Sequence, residues 1–472
     1  MRVTLSRRKV AIIGGGITGL TAAFYLQRLA QQNNLPIDVV LIESSLRLGG
    51  KIHTLRKDGF IIERGPESFL DYNNSVRELA TDLGIEHEMV TNNQGQTYVV
   101  VGSELNPIPN ILAYQGSLKV SSFITSGLFS LSGKLRAAGD LLLPKTSEDE
   151  DEPIGDFFRR RFGKEVVENL VEPLLAGTFA GDIDHLSIQS MFPQFYQLEK
   201  QHRSLILGMK KSLPHTSNHH NESYQTFKNG LETLIESIES KLTPKSILKG
   251  VKVESIDKLK DGSVQIYFNN IPPLKCDAVI MTTPFNVTRS VFNSYGLLED
   301  VPNMNYATIA TVTMAFKQNE IKKYKDAMNF FVSRNSDLSI TTCTWSNHKW
   351  NNVAPEGYDL LRVYIGRVGD EAIVELSDSD IEKTVLQDLN LAIGLSEEPI
   401  FTVVTRWKQS MPQYTVGHEK RIEHIKEQLY TDFPNVKLVG SSYDGISVPD
   451  CVSQGKKAAQ ELLKEMFQFQ LN

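Results

Sequence analysis

The stretch KVAIIGGGITGLTAAFYLQRLAQQNNLPIDVVLIE, residues 9–43, decides how the rest of the chain is read. Lys9 to Ile13 is a short run rich in Val and Ile, the pattern of a parallel strand buried on both faces. Residues 17–31 follow as a helix with Leu20, Ala23, Phe24 and Leu26 at apolar positions, and Asp38 to Ile42 form a second buried strand. Between strand and helix lies Gly14-Gly15-Gly16-Ile17-Thr18-Gly19, a GxGxxG. Gly14 permits the tight turn, Gly16 lets backbone approach a pyrophosphate, and Gly19 lets helix pack on strand. The helix start then offers free N–H groups and partial positive charge to phosphates. Glu43 closes the second strand, where a carboxylate can accept from both hydroxyls of an unphosphorylated adenosine ribose. Strand, glycines, helix and end-of-strand acid together predict a nucleotide site.

Outward from this unit, strand-like stretches return at residues 246–280, and further ones fill 300–405 around a helical run near Asp380 to Leu395. The chain closes with a strand, Val436 to Val439, the segment GSSYDGISVPDCVSQG and a long helix. A βαβ unit at the start, with more strands and a closing helix at the far end, predicts a discontinuous nucleotide domain. Residues 75–215 read as mostly helical, interrupted by Ser147 to Pro153 (SEDEDEP), whose consecutive acids predict a solvated loop. No second strand–GxGxxG–helix unit follows. Gly366 and Gly369 in YIGRVGD lack the first glycine, so no nicotinamide site is expected.

Hydrophobic residues make up 40% and charged residues 22%, an ordinary globular balance that excludes a disordered or collagen-like chain. The net charge of -6 argues against a nucleic-acid binder, which needs a strongly basic face. Three widely spaced cysteines, Cys276, Cys343 and Cys451, give neither a disulfide framework nor a zinc site. Histidines are scattered, with His219-His220 in a polar loop, so neither a metal nor a catalytic triad is expected. Val10 to Ile13 is too short an apolar run for a signal peptide. No stretch has the ~18 apolar residues of a spanning helix. A cytoplasmic location is expected, and Val120 to Gly133 reads as an interfacial or substrate-lining helical region.

Two further segments separate one nucleotide from another. Arg47-Leu48-Gly49-Gly50-Lys51 resembles the RxGG[RK] element of amine-oxidase-like flavoproteins, and Gly65-Pro66-Glu67-Ser68 resembles their stretch beside the isoalloxazine. The match narrows with FFRRRFGKEVVENLVEPLLAGTFAGD (157–182), FPQFYQLEK (192–200), TCTWSNHKW (342–350) and RWKQSMPQYTVGH (406–418). These runs resemble protoporphyrinogen/coproporphyrinogen oxidases of the Gram-positive bacterial kind, over essentially the whole chain.

The resemblance implies an α/β (α+β overall) fold in three parts: an FAD-binding Rossmann-like domain (1–66, 220–285 and 405–472), a mixed-sheet substrate domain (67–95 and 286–404) and a helical domain (96–219). It implies an FAD-dependent oxidase turning coproporphyrinogen III, and also protoporphyrinogen IX, into the porphyrin in haem synthesis. Molecular oxygen would be the acceptor, and a haem-pathway enzyme a partner. Its cofactor contacts would be Gly14 to Gly19, Glu43 with Ser44, Lys51, Gly65 to Ser68, Val253 beside the adenine, and Trp407 with Ile446, Ser447 and Val448 at the flavin. The family often has an acid after the last strand, where this chain has Gly440-Ser441-Ser442. The flavin carries the redox chemistry, so no catalytic side chain is assigned. Arg64, Arg203, Lys210 and Lys349 stand as candidate cations for propionates, while Arg159, Arg160 and Arg161 read as a solvated helix end. The rivals are an amine oxidase or carotenoid desaturase on the same scaffold and, from another class, a flavin-free lipid- or partner-binding protein.

Overall fold

A computed structural model describes residues 6–109, 120–144, 150–212, 223–318, 324 and 326–467. The opening stretch folds as β1 (Arg8–Ile13), α1 (Ile17–Gln32) and β2 (Ile37–Glu43). β1 and β2 lie inside a five-stranded sheet ordered Val436–Leu438, Ala278–Met281, β1, β2 and Ile247–Lys249, all parallel. Alternate residues of β1 enter two different cores. Val10 and Ile12 pack with α1 and the closing helix Val448–Phe467, whereas Ala11 and Ile13 pack with a second layer that includes Ile256 and Phe433. Burial on both faces explains why these strands read as continuous apolar runs rather than alternating ones. Pieces from both ends of the chain and from its middle therefore build one sheet.

The second sheet has seven strands, ordered Phe401–Pro412, Tyr306–Lys317, Tyr358–Ile365, Ile340–Trp345, Ala327–Val332, Gln96–Val101 and Glu104–Pro107. Its pairings are antiparallel except that of Ala327–Val332 with Gln96–Val101. The stretch 96–107, expected within the helical part, is a hairpin at the edge of this seven-stranded sheet. Val99, Val100 and Val101 precede Gly102, whose φ of +61° closes the turn, and the first strand finds its partner more than 220 residues later. Among the described residues the helical segment includes helices Val120–Thr125 and Leu131–Ala138 and continues through Leu205–Ser212.

Two surface readings also change. Asp151 accepts hydrogen bonds from Ser187 Oγ at 2.8 Å and from the Gly417 N–H at 2.7 Å, so the end of the acidic loop is a pin rather than a solvated run. Arg161 is fully buried between Asp140 and Glu199, while Arg160 bridges Glu152 and Glu199. The cluster is buried at Arg161 and partly exposed at Arg160, and the same helix sends Phe157 and Phe158 into the core of the helical segment. His219-His220 lies outside the described residues.

Candidate active-site cleft

The loop between β1 and α1 takes its shape from three contacts. The Gly15 N–H donates to Glu43 Oε2 at 2.6 Å, and Thr282 Oγ1 donates to the Gly14 carbonyl at 3.1 Å. A Cβ on Gly19 would stand 1.9 Å from the Gly14 carbonyl oxygen, so helix and turn touch there. A Cβ on Gly16 would meet nothing within 4 Å. The first absence of a side chain is required by protein packing. The second leaves an open cradle at the amino end of α1, where a diphosphate fits. Glu43 holds its other oxygen with the Ser45 N–H at 2.7 Å, which fixes the carboxylate while leaving lone pairs for ribose hydroxyls.

One connected cleft of about 3100 Å³ runs from this loop to the helical segment. Gly14, Gly16, Ile17, Thr18, Glu43, Ser44, Lys51, Gly65, Pro66, Glu67, Ser68, Val253, Trp407, Ile446, Ser447 and Val448 all line it. Gly15 and Gly19 do not; they sit behind the wall in the contacts just described. Lys51 Nζ reaches Ser441 Oγ at 3.4 Å and has no carboxylate partner among the described residues. Burial lowers its pKa from the ordinary lysine value, which an anionic group bound beside it would reverse. Gly16, Glu43 and Lys51 thus supply an open cradle, an acceptor and an uncompensated cation, a set that suits a dinucleotide with an unphosphorylated ribose. The closing helix begins in the same cleft, where Ser447 Oγ accepts from the Asp450 N–H at 3.1 Å as its cap.

Glu67 was expected only as part of a flavin-facing backbone. Its side chain instead makes ion pairs with Lys349 and, at 3.4 Å, with Arg362, while Arg362 also donates to the Gly65 carbonyl. Arg362 is 2% exposed, and Glu67 and Lys349 each 14%. Burial pushes the Glu67 carboxyl up, but the two cations outweigh it and hold it below the ordinary carboxylate value. Behind the pair, burial drives Glu63 up to about 8, even though it accepts from the Leu231 N–H and from Thr54 Oγ1. The loop Gly65–Ser68 is therefore held from below by a buried charge cluster. Sequence reasoning missed Arg362, although an arginine inside the apolar run LLRVYI was a usable signal, since such a residue needs a counterion.

Trp407 lies at the loop's edge, its Nε1 donating to the Arg64 carbonyl at 2.7 Å. Val253 is a buried strand residue with one edge on the cleft. Of the candidate propionate cations, Lys349 is committed to Glu67, Arg64 donates to Thr405 Oγ1 and Arg203 to the Leu141 carbonyl. Lys210 lines the cleft. Tyr414 and His418 form a pair that sequence reasoning did not find. Their rings stack at 3.7 Å on the cleft wall, and burial lowers His418 to about 4, so it is neutral.

Comparison with known proteins adds three findings. The family model for flavin containing amine oxidoreductase matches residues 17–463. Coproporphyrinogen III oxidase from Bacillus subtilis is 46% identical over 98% of this chain and 99% of its own, and that from Staphylococcus aureus is 38% identical over 97% and 100%. The crystal structure of a putative protoporphyrinogen oxidase from Exiguobacterium superposes with a TM-score of 0.85 at 32% identity, covering 98% of this chain and 100% of that one.

Proposed function

This chain belongs to the flavin-containing amine oxidoreductase family, in its coproporphyrinogen III oxidase branch, and on that premise we propose that the cleft dehydrogenates coproporphyrinogen III to coproporphyrin III in haem synthesis. Protoporphyrinogen IX is accepted by the same cleft. The cofactor is FAD. The observation that carries the reading is the continuity of the cleft: its 3100 Å³ joins the Gly16 cradle to an apolar chamber under the helical segment, with room for a dinucleotide and a tetrapyrrole together.

Bound FAD would supply the two-electron redox chemistry of the dehydrogenation. The chain's own residues bind and orient. Gly16 and the amino end of α1 would receive the pyrophosphate, and Glu43 the ribose. Lys51 and the first turn of Val448–Phe467 offer positive charge and free N–H groups beside the expected flavin position. The Glu67–Arg362–Lys349 cluster holds the Gly65–Ser68 wall still, which keeps the reacting face in register with the substrate. The three-unit division, with residues 96–107 counted in the substrate sheet, and the sixteen expected cofactor contacts that line the cleft are part of this proposal, with Gly15 and Gly19 shaping the loop from behind.

Three two-electron steps convert porphyrinogen to porphyrin, and three molecules of oxygen take up the six electrons and six protons as three of hydrogen peroxide. The setting is the cytoplasm. The three cysteines are free and buried, and among the described residues no helix is long and apolar enough to cross a membrane. A haem-pathway enzyme is the expected recipient of the product. Aerobic turnover, followed by porphyrin fluorescence and peroxide together, tests the reading; three peroxides should accompany each porphyrin. No fluorescence above the autoxidation control would defeat it, and porphyrin without peroxide would keep the substrate and remove oxygen as acceptor.

A further inference from the structure

Around the cleft, most cations are already spoken for. Arg362 and Lys349 share Glu67, Lys426 pairs with Asp444, and Arg203 is bound to the backbone at Leu141. Among the described residues, four cleft-lining lysines have no carboxylate within ion-pair distance: Lys51, Lys134, Lys210 and Lys252. Lys51 and Lys252 belong to the nucleotide end, next to Gly50 and Val253. Lys134 and Lys210 stand at the opposite end, on helices Leu131–Ala138 and Leu205–Ser212. Both helices pack on the turn Gly139–Leu141, and both lysines line the cleft, so they lie at the same end of it.

Exposed apolar side chains line this end of the cleft. Ile124, Leu131, Leu135, Leu141 and Leu207 line the cleft and yet are exposed, Leu135 by 68%. Singly exposed leucines need no explanation, but five on the rim of one cavity make a surface suited to a flat apolar body. Two ammonium groups that meet no carboxylate among the described residues, within such a rim, call for a ligand with anionic tails on an apolar ring. Coproporphyrinogen carries four propionates. Protoporphyrinogen carries two, with vinyl groups in place of the others.

We propose that Lys134 and Lys210 receive the two propionates that coproporphyrinogen alone carries, and so set its preference over protoporphyrinogen. This rests on the oxidase reading above and names residues for its substrate end. Partly exposed ion pairs are each worth less than tenfold in affinity. The Lys134→Gln/Lys210→Gln variant should therefore lose roughly tenfold in kcat/KM for coproporphyrinogen and less than threefold for protoporphyrinogen. The arginine pair at the same positions should keep the preference, since it keeps the charge. Lys211→Gln removes a charge from the same helix outside the cleft lining and should leave the ratio of the two substrates at the wild-type value.

The measurements are steady-state kinetics of both porphyrinogens on holoenzyme of matched flavin content, at low and high salt. The salt dependence of the coproporphyrinogen reaction should flatten in the glutamine pair. Equal losses for the two substrates, or no loss for either, would overturn the assignment and leave the oxidase reading standing. Wild-type enzyme that turns over neither substrate would overturn both.

Discussion

Two loops on the cleft, Gly14–Gly19 and Gly65–Ser68, are held by different physics. The first is a backbone device. Its contacts come from β1, α1 and the end of β2, and Glu43 meets it from 28 positions away along the chain. Its decisive feature at Gly16 is empty space. The second loop is held by side-chain charge brought from 282 and 295 positions away, with Arg362 almost fully buried. Space can be filled without unfolding the protein, whereas a buried charge that loses its partner destabilises everything packed over it. The two loops should therefore fail in opposite ways, one losing cofactor and the other losing fold.

The largest effect is expected at Gly16. Its backbone is already extended (φ −73°, ψ 176°), and a Cβ there meets no protein atom within 4 Å, so Gly16→Val should fold and melt like the flavin-free wild type but purify without flavin. Absorbance near the oxidised-flavin band together with a melting curve checks this; a fully yellow Gly16→Val protein would break the assignment of the cradle. Gly19→Ala should do the reverse and lose stability, since its Cβ has the Gly14 carbonyl 1.9 Å away.

Next comes Glu67→Gln. It leaves Arg362 and Lys349 facing one another without a carboxylate between them, a loss of about 3–5 kcal/mol for a broken buried pair. Denaturant unfolding of the variant against wild type measures it. A loss below ~1 kcal/mol would mean that the loop is held by its backbone after all, and the contrast with Gly14–Gly19 would vanish.

These differences also explain what could be read in advance. The nucleotide unit was legible because its chemistry demands fixed residue types at short spacing, and the strands of 307–316 and 360–365 because they are long apolar runs. The Glu67–Lys349–Arg362 cluster was not, since nothing local to TWSNHKW says that its lysine will meet an acid from the first seventy residues. Lys349 read as a propionate cation for the same reason that Arg159 to Arg161 read as solvated: a charge shows its sign in sequence, not its partner. The hairpin at 96–107 was obscured by its long-range partner, though the valines before Gly102 carried a turn signal.

A smaller change tests the ribose end. Glu43→Gln removes the negative charge while keeping an oxygen for the Gly15 or Ser45 N–H, so the loop should keep its shape. The cost should fall on the cofactor, at ~1.5–3 kcal/mol for hydrogen bonds to a charged group, or one to two decades in FAD affinity. Flavin retained after dialysis reads it directly, and full retention would take Glu43 out of the site.

The subtlest expected effect lies behind the second loop, at Glu63. Burial raises its carboxyl from the ordinary 4.5 to about 8, so between those values the folded chain holds a proton that the unfolded chain has released. Its contribution to stability is complete below the unfolded value and is lost as pH rises through the folded one. Two other buried groups act in other pH ranges. Glu67 is held below its ordinary value, so its stabilisation is present at neutral pH and fades only in acid. His418 is lowered from 6.5 to about 4, so its effect, a rise in stability with pH, is over by 6.5. Between pH 6.5 and 8 only Glu63 of the three differs in charge between folded and unfolded chain, and stability should fall by up to about 1.4 kcal/mol per pH unit. Urea midpoints across that window should slope downward for wild type and be flat for Glu63→Gln. The same series on Glu67→Gln sharpens the comparison of the loops. With Glu67 neutral, the repulsion that helps to raise Glu63 is gone and Arg362 is free to hold its carboxylate, so the downward slope should move to lower pH. A slope that stays where it was would mean that Glu63 and Glu67 do not feel one another, and that the loop rests on separate ion pairs rather than on one cluster.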